Sequence, residues 1–100
     1  LDGKVGEETR VRVPGERELF GVIEQRLGYN KMYVRCQDGK IRIGRVPGKY
    51  SRRLWIREGD LVLIKLWEIQ TDKKCDIIYR YTAAQKAALI QKKLLPEDMR

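Results

Sequence analysis

One hundred residues make one domain with room for a modest core, and a 42% hydrophobic content is ordinary for a globular chain, so wholesale disorder is excluded. A formal net charge of +8 favours a polyanionic partner, nucleic acid before an acidic membrane surface. Histidine is absent, no apolar run nears the length of a membrane span and no secretory leader is visible, so the composition points to a cytoplasmic protein with no catalytic centre, cofactor or metal.

Residues 1–18 read as a flexible polar tail with a turn at Pro14-Gly15; Val11 and Val13, alternating with Arg10 and Arg12, suggest a short arm that orders on a partner. Five strand-like segments follow. Leu19 to Leu27 is the first, closed by the break Gly28-Tyr29-Asn30-Lys31. Met32 to Gln37 alternates strictly, with Met32, Val34 and Cys36 on one face and Tyr33, Arg35 and Gln37 on the other, the mark of a half-buried strand. Asp38-Gly39 is a strong pair for a two-residue hairpin turn. Lys40 to Val46 then alternates again, which sets Ile41 and Ile43 toward the core and Lys40, Arg42 and Gly44 toward solvent.

Pro47-Gly48 ends that hairpin, and Lys49 to Ile56 lacks period-two order, as a loop or short helical turn would. Leu61 to Ile69 is the most apolar strand, and Cys75 to Tyr81 is the fifth. Cys36 and Cys75 each sit in an apolar run outside any metal-ligand spacing, and read as two reduced core thiols. Thr82 followed by Gln85 is a capping box that opens a helix; Ala83, Ala87, Ile90 and Leu94 form its apolar stripe, docked on the strands, and Pro96 stops it. The division is a tail over 1–18, a barrel over 19–81, and a packed helix with a short tail over 82–100. The fold class is all-β with a C-terminal helix: a five-stranded OB-fold barrel, with an SH3-like barrel as rival.

The charge is unevenly placed. From Lys31 to Arg57 there are nine basic residues (Lys31, Arg35, Lys40, Arg42, Arg45, Lys49, Arg52, Arg53 and Arg57) and one acid, Asp38, so this stretch carries the whole excess. Like charges on paired strands repel, so folding does not ask for Arg35 and Arg42 on one solvent face, whereas an anionic ligand does. The second and third strands are also where OB-folds bind oligonucleotides. Tyr33 is set outward among these cations, and Tyr29, Tyr50 and Trp55 are further stacking candidates. Trp55, beside Leu54 and Ile56, either stacks on a base or plugs the barrel end. Trp67 fits either role too, and Phe20, Tyr79 and Tyr81 read as core or helix contacts.

The stretch Arg45-Val46-Pro47-Gly48-Lys49-Tyr50-Ser51-Arg52-Arg53-Leu54-Trp55-Ile56 resembles the basic segment of the translation initiation factor 1A and bacterial initiation factor 1 family. Gly21 to Gln25, Arg35 to Lys40, Gly59-Asp60, Lys74 to Ile78 and Arg80-Tyr81 match in the family's order, so the resemblance spans roughly 10–96 and is nearest the archaeal members. It implies an OB-fold with a packed C-terminal helix. It also implies binding to the small ribosomal subunit near the decoding A site through ribosomal RNA, cooperation with other initiation factors, and no catalysis. Carried over by position, Arg45, Gly48, Lys49, Arg52, Arg53 and Trp55 are RNA-contact candidates. Lys31, Tyr33, Arg35, Lys40 and Arg42 join them on charge and alternation. Gly44 stands where many relatives have histidine, and Leu95 to Arg100 shows nothing of the long acidic tail of eukaryotic members.

A monomer with no membrane partner is expected. The runner-up is a general single-stranded RNA binder of cold-shock or S1 type, against which stands the lack of a glycine-aromatic strand motif. A barrel presenting its basic face to an acidic protein comes third.

Overall fold

The computed structural model describes residues 11–28, 30–50 and 55–100. Strands β1 (Glu18–Arg26), β2 (Lys31–Cys36), β3 (Ile41–Arg45), β4 (Leu61–Leu66) and β5 (Lys74–Arg80) precede one helix, α1 (Ala83–Gln91). They close into a barrel in the order β1-β2-β3-β5-β4. Antiparallel ladders form its other seams, while β3 and β5 run parallel over three residue pairs. This is the OB-fold expected from the strand count.

Two apolar clusters hold it. Inside the barrel lie Ile23, Met32, Val34, Cys36, Val46, Ile56, Val62, Ile64, Cys75 and Ile77. On the outside of β1 and β4, Phe20, Leu61 and Leu63 meet Tyr81, Leu89, Leu95 and Met99. The second cluster explains why β4 reads as a continuous apolar run: both of its faces are covered, so period-two alternation is lost. β4 stops at Leu66, earlier than that run suggests, and Ile69 stands 79% exposed in the following turn.

The β2–β3 hairpin corrects the sequence reading. Its loop is three residues, not two: Cys36 N–H donates to Lys40 O at 2.8 Å, Gly39 N–H donates to Cys36 O at 2.9 Å, and Gly39 takes φ +86°. That is the form in which a turn ends in a left-handed glycine. One added residue shifts the register so that Val34 faces Arg42 and Arg35 faces Ile41. A one-residue slip turns every side chain of β3 over. Arg42 and Gly44 therefore point inward, and Ile41 is 49% exposed. Gly44, expected outward at the strand end, lies against the packed interior. A Cβ there would sit 2.7 Å from Val34 Cγ2 and 3.0 Å from Ile77 Cδ1. Gly44→Ala is expected to overpack this point and lower stability by about 1–3 kcal/mol. A urea midpoint equal to wild type would mean that β2 and β5 can part there freely.

The C-terminal segment also docks differently. The capping box forms: Thr82 Oγ1 accepts from Gln85 N–H at 3.1 Å, and Gln85 Oε1 accepts from Thr82 N–H at 2.8 Å. Leu89 is buried and Ile90 partly so, whereas Ala83, Ala87 and Leu94 are exposed, so the expected stripe is not the docked face. Alanines bury too little area to orient a helix against Leu89. Pro96 is not the stop. The helix ends in a Schellman turn: Lys93 (φ 59°) donates to Ile90 O at 3.0 Å and Leu94 to Leu89 O at 2.9 Å. The chain then buries Leu95 and Met99.

Part of the expected flexible tail is held as well. Val11 packs on the second cluster, Tyr81 Oη donates to Arg12 O, and the Arg12 guanidinium lies 5.4 Å from the Tyr79 ring centre. Residues 1–10 lie outside the described residues.

Candidate nucleic-acid interface

The inward turn of β3 redistributes the basic segment. Arg42, expected on the solvent face, is 2% exposed. Its guanidinium forms a bidentate pair with Asp38, Nη1 to Oδ1 at 3.0 Å and Nη2 to Oδ2 at 2.8 Å, while Nε donates to Thr71 O at 2.6 Å. Asp38 is thereby held below the ordinary carboxylate range and Arg42 is raised, each mainly by the other. Lys40 pairs with Asp72 at 2.8 Å. These bonds clip the β2–β3 turn to the β4–β5 turn, across the short parallel seam. Arg42 is a buried structural clamp, not the solvent-facing ligand contact that alternation implied.

Other cations of the segment are also engaged within the fold. Arg35 pairs with Glu24 at 3.1 Å and donates to Asp98 O at 3.1 Å. Arg45 reaches Asp76 at 3.4 Å, and its guanidinium lies 5.3 Å from the centre of the Trp67 ring. Trp67, which by sequence fits either a stacking or a packing role, is partly buried, donates from Nε1 to Asp76 Oδ1 at 3.0 Å, and carries Lys74 Nζ at 5.5 Å from its ring centre. One row of register partners runs Glu18, Lys65, Asp76, Arg45, Lys31 across β1, β4, β5, β3 and β2. Opposite charges alternate along it until Lys31, whose neighbour is the like-charged Arg45. Among the described residues Lys31 makes no ion pair within 4 Å, so its ammonium is available to an external anion.

The outward face of the hairpin is thus more apolar than the alternation implied. Tyr33, 38% exposed, sits opposite the partly buried Ile43, with Ile41 beyond it. Ile41 and Ile43 lie on this face because the three-residue turn sets β3 one residue out of the phase a two-residue Asp38-Gly39 turn would give; the Asp38 carboxylate also accepts from Lys40 N–H at 3.2 Å.

Beyond β3, Gly48 and Lys49 are exposed in a 3-10 turn spanning Gly48–Tyr50. Arg52, Arg53, Tyr29 and the side chain of Tyr50 lie outside the described residues. Trp55 is 69% exposed, while the next residue, Ile56, is 4% exposed and belongs to the barrel core. Ile56, not Trp55, fills the barrel end. Arg26 Nη1 donates to Ile56 O at 3.5 Å and Arg57 N–H donates to Asp60 Oδ2 at 2.8 Å, which fixes the backbone on which Trp55 stands. The indole therefore stands outward, in a chain stretch that also holds Arg52, Arg53 and Arg57.

The chain is similar to known proteins along most of its length. The family described as Translation initiation factor 1A / IF-1 matches residues 8–100. Translation initiation factor 1A of Methanococcus aeolicus is 52% identical over 91 residues, 89% of this chain and 87% of that protein. Translation initiation factor 1A of Pyrococcus abyssi is 51% identical over 92 residues, 92% of this chain and 81% of that one. Among solved structures, the bacterial translation initiation factor IF-1 from the Wolbachia endosymbiont of Brugia malayi superposes with a TM-score of 0.54 at 27% identity, over 69% of this chain and 82% of that chain.

Proposed function

Because this chain belongs to the Translation initiation factor 1A / IF-1 family, we propose that it is a non-catalytic initiation factor that binds the small ribosomal subunit near the A site through ribosomal RNA. The observation that carries the reading is Trp55: an indole 69% exposed, anchored by a buried neighbour, within a stretch that holds the chain's whole charge excess. An exposed ring beside cations offers a base both a stacking surface and phosphate neutralisation. Lys31, Tyr33, Lys40, Arg45, Gly48, Lys49, Arg52, Arg53 and Trp55 form the proposed contact set. Arg35 contributes at its edge, since Glu24 and Asp98 already engage it. The protein acts as a cytoplasmic monomer, alongside other initiation factors.

The mechanism is electrostatic docking refined by shape. Four to seven Lys/Arg–phosphate contacts give a log–log salt dependence of roughly −3 to −6. Sedimentation with isolated small subunits, with unstructured single-stranded RNA as competitor, tests this. Stoichiometric co-sedimentation that resists the competitor and weakens with salt at that slope is the expected result. Binding abolished by the competitor would instead identify a general single-strand binder, and no binding at low salt would overturn the ribosomal reading.

A further inference from the structure

The outer face of the parallel seam carries cations that the barrel does not neutralise. Lys31, Arg45 and Lys74 stand on β2, β3 and β5, which are successive strands of the barrel. Lys31 faces Arg45 across one ladder and Arg45 faces Asp76 across the next. Lys74 lies two residues before Asp76, on the same outward side of β5. Among the described residues Asp76 is the one carboxylate within 4 Å of any of the three cations, and it reaches only Arg45. Its Oδ1 is shared, accepting from Trp67 Nε1 at 3.0 Å and meeting Arg45 Nη2 at 3.4 Å. The Trp67 ring attracts without neutralising: the Arg45 guanidinium and the Lys74 ammonium lie 5.3 Å and 5.5 Å from its centre. A ring face holds a cation in place and leaves its N–H donors open to an anion. Arg42 is the contrast, buried and held at 2.8 Å by Asp38, whereas the Arg45 side chain is 46% exposed.

We propose that Lys31, Arg45 and Lys74 form one binding site for the phosphodiester backbone of RNA, with Trp67 as its positioning residue. The inference rests on the RNA-binding reading above and extends it to two residues outside the basic stretch, Lys74 and Trp67. Lys31 and Arg45 are like charges on paired strands, which repel, and a phosphate oxygen set between them removes that repulsion. A guanidinium is a planar fork, so its orientation decides whether it meets two phosphate oxygens or one. Trp67, itself fixed by Asp76, sets that orientation before RNA arrives. Lys74 is held on the same ring and adds a point charge from β5.

The test measures binding of the full chain to isolated small subunits, and separately to a single-stranded RNA oligonucleotide, over a salt series, with urea melts to show that each variant is folded. Lys74→Ala removes one neutralised phosphate. Its affinity should fall about five- to tenfold at about 0.1 M salt, and its log–log slope should become shallower by about 0.7–0.9. Trp67→Leu leaves all three cations in place, so the slope should hold while affinity falls on the order of fivefold through lost pre-organisation. Trp67→Phe keeps a ring face and should recover most of that loss. In the double variant Arg45→Ala, Lys74→Ala, the further change Trp67→Leu should cost nothing more. Wild-type affinity and slope in Lys74→Ala overturn the site, and this variant decides even where Trp67→Leu does not fold. An equal loss from Trp67→Leu with and without Arg45 and Lys74 overturns the positioning role. A slope change with subunits and none with the oligonucleotide assigns the cations to an acidic protein surface and overturns the phosphate reading. Wild type that ignores subunits, yet shows the slope change of Lys74→Ala on the oligonucleotide, overturns the ribosomal reading and upholds the site.

Discussion

Arg42→Ala is expected to cost about 3 kcal/mol of folding stability, a fall of roughly 15 °C in melting midpoint, while the folded protein binds RNA as wild type does. The reason is the inward register of β3. Arg42 is buried and is held by Asp38 and Thr71 O, so its removal takes away the clip between two turns and leaves a void beside Gly44. The estimate sits at the low end for a broken buried pair because the Asp38 side chain is 34% exposed and can rehydrate. Arg42→Met, which keeps much of the volume, should cost less. The same clamp sets a pH dependence. The folded-state pKa of Asp38 lies below its unfolded value, so its contribution is fully present above the ordinary carboxylate pKa of about 3.9 and is lost as pH falls through the depressed value. The difference in urea midpoint between wild type and Arg42→Ala should therefore narrow as pH falls below about 3.9, without vanishing, because the void and the lost bond to Thr71 O remain. A stable Arg42→Ala protein with weakened RNA binding would show that Arg42 faces the ligand after all.

Trp55→Ala should have the opposite profile. With its side chain mostly in solvent, its removal should move stability by no more than about 0.5 kcal/mol. Loss of one base stack is worth about 1–3 kcal/mol, or roughly a five- to 150-fold weaker complex with the small subunit. Trp55→Phe should recover most of that loss, because the stacking face remains. Ile56→Ala, one residue along, should instead cost about 2–5 kcal/mol of stability, since that side chain fills the barrel end. Equilibrium binding and denaturant melts on the three variants separate the roles. If Trp55→Ala binds as tightly as wild type, the contact surface lies elsewhere on the barrel, and Arg52→Ala with Arg53→Ala becomes the variant that decides whether the connection after β3 takes part.

Much of the architecture was legible in the residues. Period-two alternation in β2, the glycine turns, the apolar run of β4 and the Thr82–Gln85 box are local signals, each produced by side chains a few positions apart, and all correspond to observed elements. The concentration of charge between Lys31 and Arg57 is likewise a property of the chain itself. The partners of that charge were not legible. Glu24, Asp72 and Asp76 come from outside the stretch and meet Arg35, Lys40 and Arg45 only when the barrel closes.

The sequence by itself determined how many strands form, roughly where they turn, and that the excess positive charge lies between Lys31 and Arg57, because propensity, alternation and net charge do not depend on distant residues. Tertiary structure alone decided which face of β3 meets solvent and which face of the helix docks. Both are choices of phase. A three-residue loop at Asp38-Gly39 and a two-residue loop start from nearly the same local signals, and the difference is settled by whether Arg42 finds Asp38 and Thr71 while Gly44 fits beneath Val34 and Ile77. Leu89 wins over the alanine stripe for a similar reason: the area it buries against Phe20, Leu61 and Leu63 exists only once β1 and β4 are paired.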